Sequence, residues 1–237
     1  MLFAAKKNRC STWNNRKHEM ETLEIFALRI EELGHRLDAR QIEAFERYLA
    51  EIKRVNSQLN LVSHNDLQRI PTRHFLDSVM PSLKGILPQG DTIIDIGSGG
   101  GFPGIPLGIL HPDTSFLLVE SNQKKCTFLR QVRRVLSLKN VNVCNVRIEK
   151  LPEFDTDRLY DGAVARAVSS ISQLAGWCGC VLKPGGKLIC YKGPEPEGEI
   201  ESAGEILVAE NLVWEGTHSY DEGRRDSPTL VVLRKTE

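Results

Sequence analysis

The sequence predicts an α/β fold, with a mostly parallel sheet following an all-helical N-terminal third. Three observations predict it. Residues 20–85 carry apolar stripes at helical spacing and no glycine loop. From residue 92, short β-branched runs alternate with helical patterns, and the runs are apolar on both faces, as in a sheet covered by helices. At the junction, Thr92-Ile93-Ile94-Asp95-Ile96 runs straight into Gly97-Ser98-Gly99-Gly100-Gly101. That order reads as a strand, a tight turn and a helix start.

In the helical third, Leu23, Phe26, Ile30 and Leu33 form the first stripe and Gly34 stops it. Asp38 caps a second helix with Gln41 as capping-box partner, and its stripe is Ile42, Phe45, Leu49, Ile52 and Leu59. A third helical segment covers about 72–84 with Leu76, Val79 and Leu83. This third shows no obvious set of active-site residues. Residues 1–19 lack periodicity and read as a mobile tail, with Met20 opening the ordered chain. The expected division is a tail (1–19), a helical subdomain (20–85) and a ligand-binding domain (86–237).

In the last of these, strands are expected at 92–96, 115–120, 141–146, 160–165 and 187–191. Helices fit 103–110, 122–137 and 169–181, with Asn122 as a cap. Residues 206–220 and 229–235 read as two extended segments joined by the loop 221–226, a hairpin appended to the sheet. Five parallel strands and a terminal hairpin make a seven-stranded sheet. That is the outline of a class I, Rossmann-like methyltransferase.

Composition narrows the class. Hydrophobic residues are 41% and charged residues 26%, which fits a soluble globular protein and argues against disorder. No apolar run approaches a membrane span. The start reaches Lys6, Lys7 and Arg9 too soon for a secretory signal. The six cysteines form no Cys-x-x-Cys pair and have no histidine at zinc spacing, so reduced thiols in a cytoplasmic protein and no metal are expected. Net charge is zero, yet Ser121 to Arg147 holds no acid beside Lys124, Lys125, Arg130, Arg133, Arg134, Lys139 and Arg147. Such a patch either binds phosphates or is a solvated helix face.

The glycine run is the strongest sign of a ligand, because without a Cβ the backbone can be approached closely. A dinucleotide fingerprint is G-x-G-x-x-G. Here Gly97, Gly99 and Gly101 are followed by Phe102 in the sixth place. S-adenosylmethionine brings an ammonium, a sulfonium and an adenosine but no phosphate, and it suits Asp95-x-Gly97-x-Gly99-x-Gly101 better. A tight turn with no ligand is the plain alternative. Glu120 ends the second strand, 23 residues after Gly97, where an acid can grip ribose hydroxyls or simply be exposed. After the third strand, Ile148 can pack on adenine and Glu149 can accept from its amino group. Arg166, among small apolar residues past the fourth strand, needs an anionic or planar partner, or a structural acid. Lys192 offers a second cation on the same rim. No Asn/Asp-Pro-Pro-aromatic motif and no cysteine nucleophile follow the fourth strand.

Asn60-Leu-Val-Ser63, Arg73-His-Phe-Leu-Asp-Ser78, Ile94 to Pro106, Phe128-Leu-Arg130 and Tyr191-Lys-Gly193 are shared with one family. From about Met20 onward the chain resembles the RsmG (GidB) family of bacterial 16S rRNA guanine-N7 methyltransferases. The resemblance implies S-adenosylmethionine as donor and methylation of N7 of guanine 527. It implies 16S rRNA or a small-subunit particle as partner, no membrane, no metal and a monomer. It maps cofactor contacts to Gly97, Phe102, Ile148, Glu149 and Arg166, joining Asp95 and Gly99 from the strand and loop and Glu120 from the end of the second strand. Guanine N7 has a lone pair and no proton, so direct in-line attack needs no general base. Arg166 and Lys192 are the candidates to steady guanine O6. Arg73, His74, Lys124, Lys125 and Arg130 would hold the rRNA backbone, although His74 also reads as a helix-packing histidine. A nicotinamide oxidoreductase is opposed by Asp95, Phe102 and the hairpin. A non-catalytic RNA-binding regulator is opposed by the intact loop, Glu120 and Glu149.

Overall fold

The computed structural model describes residues 23–88, 92–154, 159–220 and 228–236. The expected tail, Met20 and the hairpin loop 221–226 lie outside the described residues. Helix α1 covers 23–32, and α2 covers Ala39–Leu59. The Asp38 carboxylate accepts from the Gln41 N–H and the Gln41 side chain accepts from the Asp38 N–H, so the expected capping box is present. The expected third helix is a composite. A 3-10 turn, His64–Arg69, runs into a π-helical turn, Ile70–Phe75, and then into α3, Leu76–Leu83. Apolar spacing does not report which carbonyl an amide chooses, so the sequence could not separate these three.

Seven strands form one sheet in the order β3-β2-β1-β4-β5-β7-β6. They are β1 Thr92–Ile96, β2 Ser115–Val119, β3 Val141–Cys144, β4 Tyr160–Arg166, β5 Leu182–Lys192, β6 Leu212–Ser219 and β7 Thr229–Lys235. The first five pair in parallel, and β7 pairs antiparallel with both β5 and β6. The connecting helices are α4 Gly104–Leu110, α5 Gln123–Val135, α6 Leu151–Phe154 and α7 Ile171–Cys178. Asn122 caps α5 as expected, its side chain accepting from the Lys124 and Lys125 N–H groups. The Lys183-Pro-Gly-Gly186 turn lies inside β5, where pairing with β4 slips between Tyr160 and Gly162.

One stretch read as extended is not. Residues 206–209 belong to helix α9, Gly204–Ala209, preceded by α8, Glu197–Ser202. Ala203 and Leu207 recur at helical spacing and are buried, with Ile200 and Ile206 packed against the same core. Asn211 then adopts φ 51° and turns the chain into β6.

Alternation along the strands builds two cores, one on each face. The first joins Ile93, Val164, Ile189 and Tyr191 to Phe26, Phe45, Tyr48 and Phe75 of the helical segment. The second joins Ile94, Ile96, Ala163 and Cys190 to Leu174 of α7 and Leu207 of α9. By the same alternation, Asp95 and Arg166 lie on the face with the helical segment, and Lys192 lies on the other.

Candidate active site

The glycine loop joins β1 to α4 at the carboxyl edge of the sheet. The Gly97 and Ser98 N–H groups donate to the Val119 carbonyl at 2.8 and 3.1 Å, tying the loop to β2. Gly97, Gly99 and Gly101 have φ of +67°, +55° and +99°, values that side chains resist. The three differ in what a Cβ would meet. At Gly97 it would lie 2.7 Å from Val168 Cγ2, and at Gly101 2.6 Å from Tyr48 Oη. At Gly99 it meets nothing closer than the Gly97 carbonyl oxygen at 3.8 Å. Gly99 is the loop position that faces open space.

Glu120 stands just past β2 and is buried. Its carboxylate accepts from the Gly99 N–H at 2.9 Å and from the Asn122 N–H at 2.7 Å. It therefore braces the loop against the start of α5. A carboxylate has about four lone-pair sites, so it still has capacity for a hydroxyl. Gly97, Glu120, Ile148, Glu149, Val168 and Trp177 line one cleft of about 150 Å³ that opens to solvent. The structure thus brings together Gly97, Glu120, Ile148 and Glu149 as expected. It adds Trp177, which sequence reasoning missed because its helical spacing gave no sign of a cleft.

Asp95, Phe102 and Arg166 gather on the other side of the loop, beneath the helical segment. Asp95 is fully buried. Its Oδ2 accepts from the Gly104 N–H at 3.0 Å, and Oδ1 has no hydrogen-bond partner among the described residues. Burial pushes its carboxyl up to about 7, opposed in part by the Gly104 N–H. Phe102 packs on His74 with ring centroids 5.2 Å apart, and the Arg166 Cζ lies 5.9 Å from the Phe102 centroid.

Arg166 has the structural acid that the sequence left open as an alternative. Its Nη2 donates to Asp77 Oδ2 at 2.8 Å and to His74 Nδ1 at 3.1 Å. Its Nη1 donates to the His74 carbonyl at 3.1 Å and lies 3.4 Å from Ser78 Oγ. Arginine has no acceptor, so the neutral His74 ring carries its proton on Nε2. Burial and the Arg166 charge hold His74 down at about 4. The helical segment, whose sequence showed no obvious set of active-site residues, supplies all of these contacts. Tyr48 donates to the Gly100 carbonyl and Tyr191 donates to the Ser78 carbonyl, so its attachment to the site is double.

Lys192 shares the rim but not the face. Its Nζ donates to Glu199 Oε1 at 2.6 Å and to the Ser169 carbonyl at 2.7 Å. Among the proposed RNA contacts, Arg73 pairs with Asp66 at 2.6 Å and stays half exposed. His74 is largely enclosed, and its Nε2 has no hydrogen-bond partner among the described residues. Lys124, Lys125 and Arg130 lie on α5, with Lys124 and Arg130 exposed. Among the described residues, no group of three potential ligands is placed to hold a metal ion. No helix of the described residues is long and apolar enough to cross a membrane.

Residues 41–227 match the model of a protein family described as rRNA small subunit methyltransferase G. The chain belongs to that family. A ribosomal RNA small subunit methyltransferase G of Roseiflexus castenholzii is 44% identical over 174 residues, 72% of this chain and 73% of that one. One from Sorangium cellulosum is 36% identical over 215 residues, 90% of this chain and 87% of its own length. Among solved structures, fibrillarin of Aeropyrum pernix with natively bound S-adenosyl-L-methionine has a TM-score of 0.53 at 20% identity. It covers 68% of this chain and 74% of its own. At that identity the likeness concerns the fold alone, the Rossmann-like sheet.

Proposed function

We propose that this chain transfers the methyl group of S-adenosylmethionine to N7 of guanine 527 in 16S rRNA by direct in-line attack, on free rRNA or a small-subunit particle. The observation that carries the reading is the open face of Gly99 beside a cleft walled by Glu120, Ile148 and Glu149. These residues fit the donor. Glu120 has lone pairs for ribose hydroxyls, Ile148 and Trp177 give apolar surface for adenine, and Glu149 can accept from an amino group. Gly97 and Gly99 let the backbone come close. Asp95 and Phe102 support the loop from below. Bound S-adenosylmethionine supplies an electrophilic methyl carbon on a sulfonium.

The chain's own task is alignment, exclusion of water and electrostatic support. Positioning of this kind contributes about 7–11 kcal/mol. No proton leaves guanine N7, so in-line attack asks none of the site's carboxylates to act as a base. His74 has Nδ1 occupied by Arg166 and Nε2 enclosed. Arg166 places a positive charge beside Phe102, with both terminal nitrogens given to the helical segment. Its Nε–H is the donor left for guanine O6. Lys192 serves the same rim through Glu199 and Ser169. Lys124, Lys125 and Arg130 hold rRNA phosphates, with Arg73 on the helical subdomain, residues up to 85; His74, enclosed and neutral between Arg166 and Phe102, packs the subdomain and does not reach RNA. Residues from 86 onward hold the donor.

Labelled methyl transfer to free 16S rRNA, an assembly intermediate and the mature subunit, followed by mapping of the modified base, tests the reaction. Gly99→Ala tests the site. Its Cβ enters open space, so the melting temperature should fall by only about 2–4 °C. Donor affinity should fall by about tenfold or more, because the ligand loses its close approach. Unchanged calorimetric affinity would remove this loop from the site, and a modified base other than guanine 527 would overturn the substrate.

A further inference from the structure

The glycine loop is held at three points. Two belong to the sheet: the Gly97 and Ser98 N–H groups on the Val119 carbonyl, and the Gly99 N–H on Glu120. The third comes from α2. Tyr48 Oη donates to the Gly100 carbonyl at 2.6 Å, across 52 residues of sequence. Tyr48 is completely buried. Its ring stacks on Phe75 at 5.3 Å with 15° between the planes, and lies 5.6 Å from Phe102. The ring is therefore fixed from both sides, and so is the hydroxyl. Burial pushes the phenol well above its usual pKa, which keeps it a donor throughout the working pH range. The same oxygen is what a Cβ on Gly101 would strike. The carbonyl it grips follows Gly99, the loop position with open space in front of it.

We propose that Tyr48 is a positioning residue for methyl-donor binding, acting through the Gly100 carbonyl; this rests on the reading that the glycine loop holds the donor. Peptide planes are rigid, so a fixed Gly100 carbonyl fixes the Gly100–Gly101 plane. The Gly101 N–H on the other edge of that plane donates to the Ser98 carbonyl at 2.6 Å. Gly99 is thereby bracketed, by Glu120 on its own N–H and by Tyr48 on the next carbonyl. A loop of four glycines has wide conformational freedom without such brackets. Tyr48 removes that freedom before the donor arrives, which is preorganisation. The helical segment thus forms the third wall of the loop's support as well as a docked neighbour.

Tyr48→Phe keeps the ring and deletes the bond. Calorimetry with S-adenosylmethionine and with S-adenosylhomocysteine at 10 °C should show affinity about five- to tenfold weaker than in the native chain. In methyl transfer, KM for the donor should rise by the same factor while kcat and KM for rRNA stay unchanged. The control is Ile30→Val, which trims a fully buried residue of the same core away from the loop. It should lower the melting temperature to a similar extent with native donor affinity. Native affinity in Tyr48→Phe, with Gly99→Ala weakened, overturns the role of Tyr48 and leaves the loop reading standing. Equal weakening in Ile30→Val and Tyr48→Phe also overturns it, because general loosening then explains both. Failure of the native chain to bind either ligand overturns the loop reading and this proposal with it.

Discussion

Two cations close the same rim of the sheet, Arg166 at the end of β4 and Lys192 at the end of β5, and they end on opposite faces. Arg166 turns toward the helical segment, where its partners lie 88–92 residues earlier in the chain. Lys192 turns toward α7 and α8, where its partners lie 7 and 23 residues away. The side chains of the Arg166–Asp77 pair are 14% and 15% exposed, and those of the Lys192–Glu199 pair 12% and 34%. The first is an enclosed ion pair between distant parts of the chain. The second is a local brace at the edge of water. One face of the sheet therefore carries the long-range attachment of the helical segment beside α4 and α5, and the other carries α7, α8 and α9.

Arg166→Ala should have the largest effect. It strands the Asp77 carboxylate, whose pKa burial already raises despite the guanidinium beside it. Breaking an enclosed pair by removing one partner costs about 3–5 kcal/mol. A melt should show that loss, and donor affinity should fall with it. A double variant, Asp77→Leu with Arg166→Met, should recover most of the stability, since well-packed apolar residues can replace such a pair. It should not recover methyl transfer. Full activity in the double variant would reduce Arg166 to an attachment point.

Asp95→Asn comes next and bears on the face beneath the helical segment. The folded pKa of about 7 lies above the unfolded carboxylate value of about 3.9. Between those values the folded state holds a proton that the unfolded state lacks, so native stability falls as pH rises through the window and levels off above it. Asparagine keeps an acceptor for the Gly104 N–H and carries no charge. Its melting temperature should therefore exceed the native one at pH 8, by up to a few kcal/mol in stability, and the gap should close toward pH 4. His74, held at about 4, acts in the other direction. Its neutral form contributes stability that is lost as pH falls from about 6.5 toward 4, and this background is common to both proteins. A pH-independent gap would show that Asp95 is not the group titrating.

Lys192→Ala should have the smallest effect. Glu199 is one-third exposed, and its Oε1 keeps the Ile171 N–H at 2.7 Å. The expected stability loss is about 1 kcal/mol, and methyl transfer should fall less than about fivefold. A loss as large as that of Arg166→Ala would show that the two faces contribute alike.

The sequence disclosed the sheet, the capping box at Asp38, the Asn122 cap and the cleft residues Gly97, Glu120, Ile148 and Glu149. Each signal there is local: a β-branched run, a side chain three residues from its amide, or a residue type at a strand end. What remained hidden was non-local. Nothing in the pattern around Tyr48, Asp77 or Ser78 says which backbone lies opposite, because those contacts span 52 to 113 residues. The helix at Gly204–Ala209 was a different case. Ile200, Ala203 and Leu207 did carry a helical period, and the β-rich flank beginning at Leu212 obscured it.

The distance along the chain between the helical segment and its partners also sets a timetable during synthesis. The Ser78 carbonyl waits 113 residues for the Tyr191 hydroxyl, and the Ser78 side chain waits 88 residues for Arg166. At roughly 5–20 residues per second, that interval is on the order of ten seconds. Through it, α2 and the turn ending at Phe75 are already on the nascent chain, with the apolar surface of Phe45, Tyr48 and Phe75 uncovered. Phe102 and the Gly100 carbonyl can meet Tyr48 earlier, but the bonds from Arg166 and Tyr191 close only when β4 and β5 have emerged. Parallel pairing of β4 beside β1 joins distant parts of the chain and is intrinsically slow.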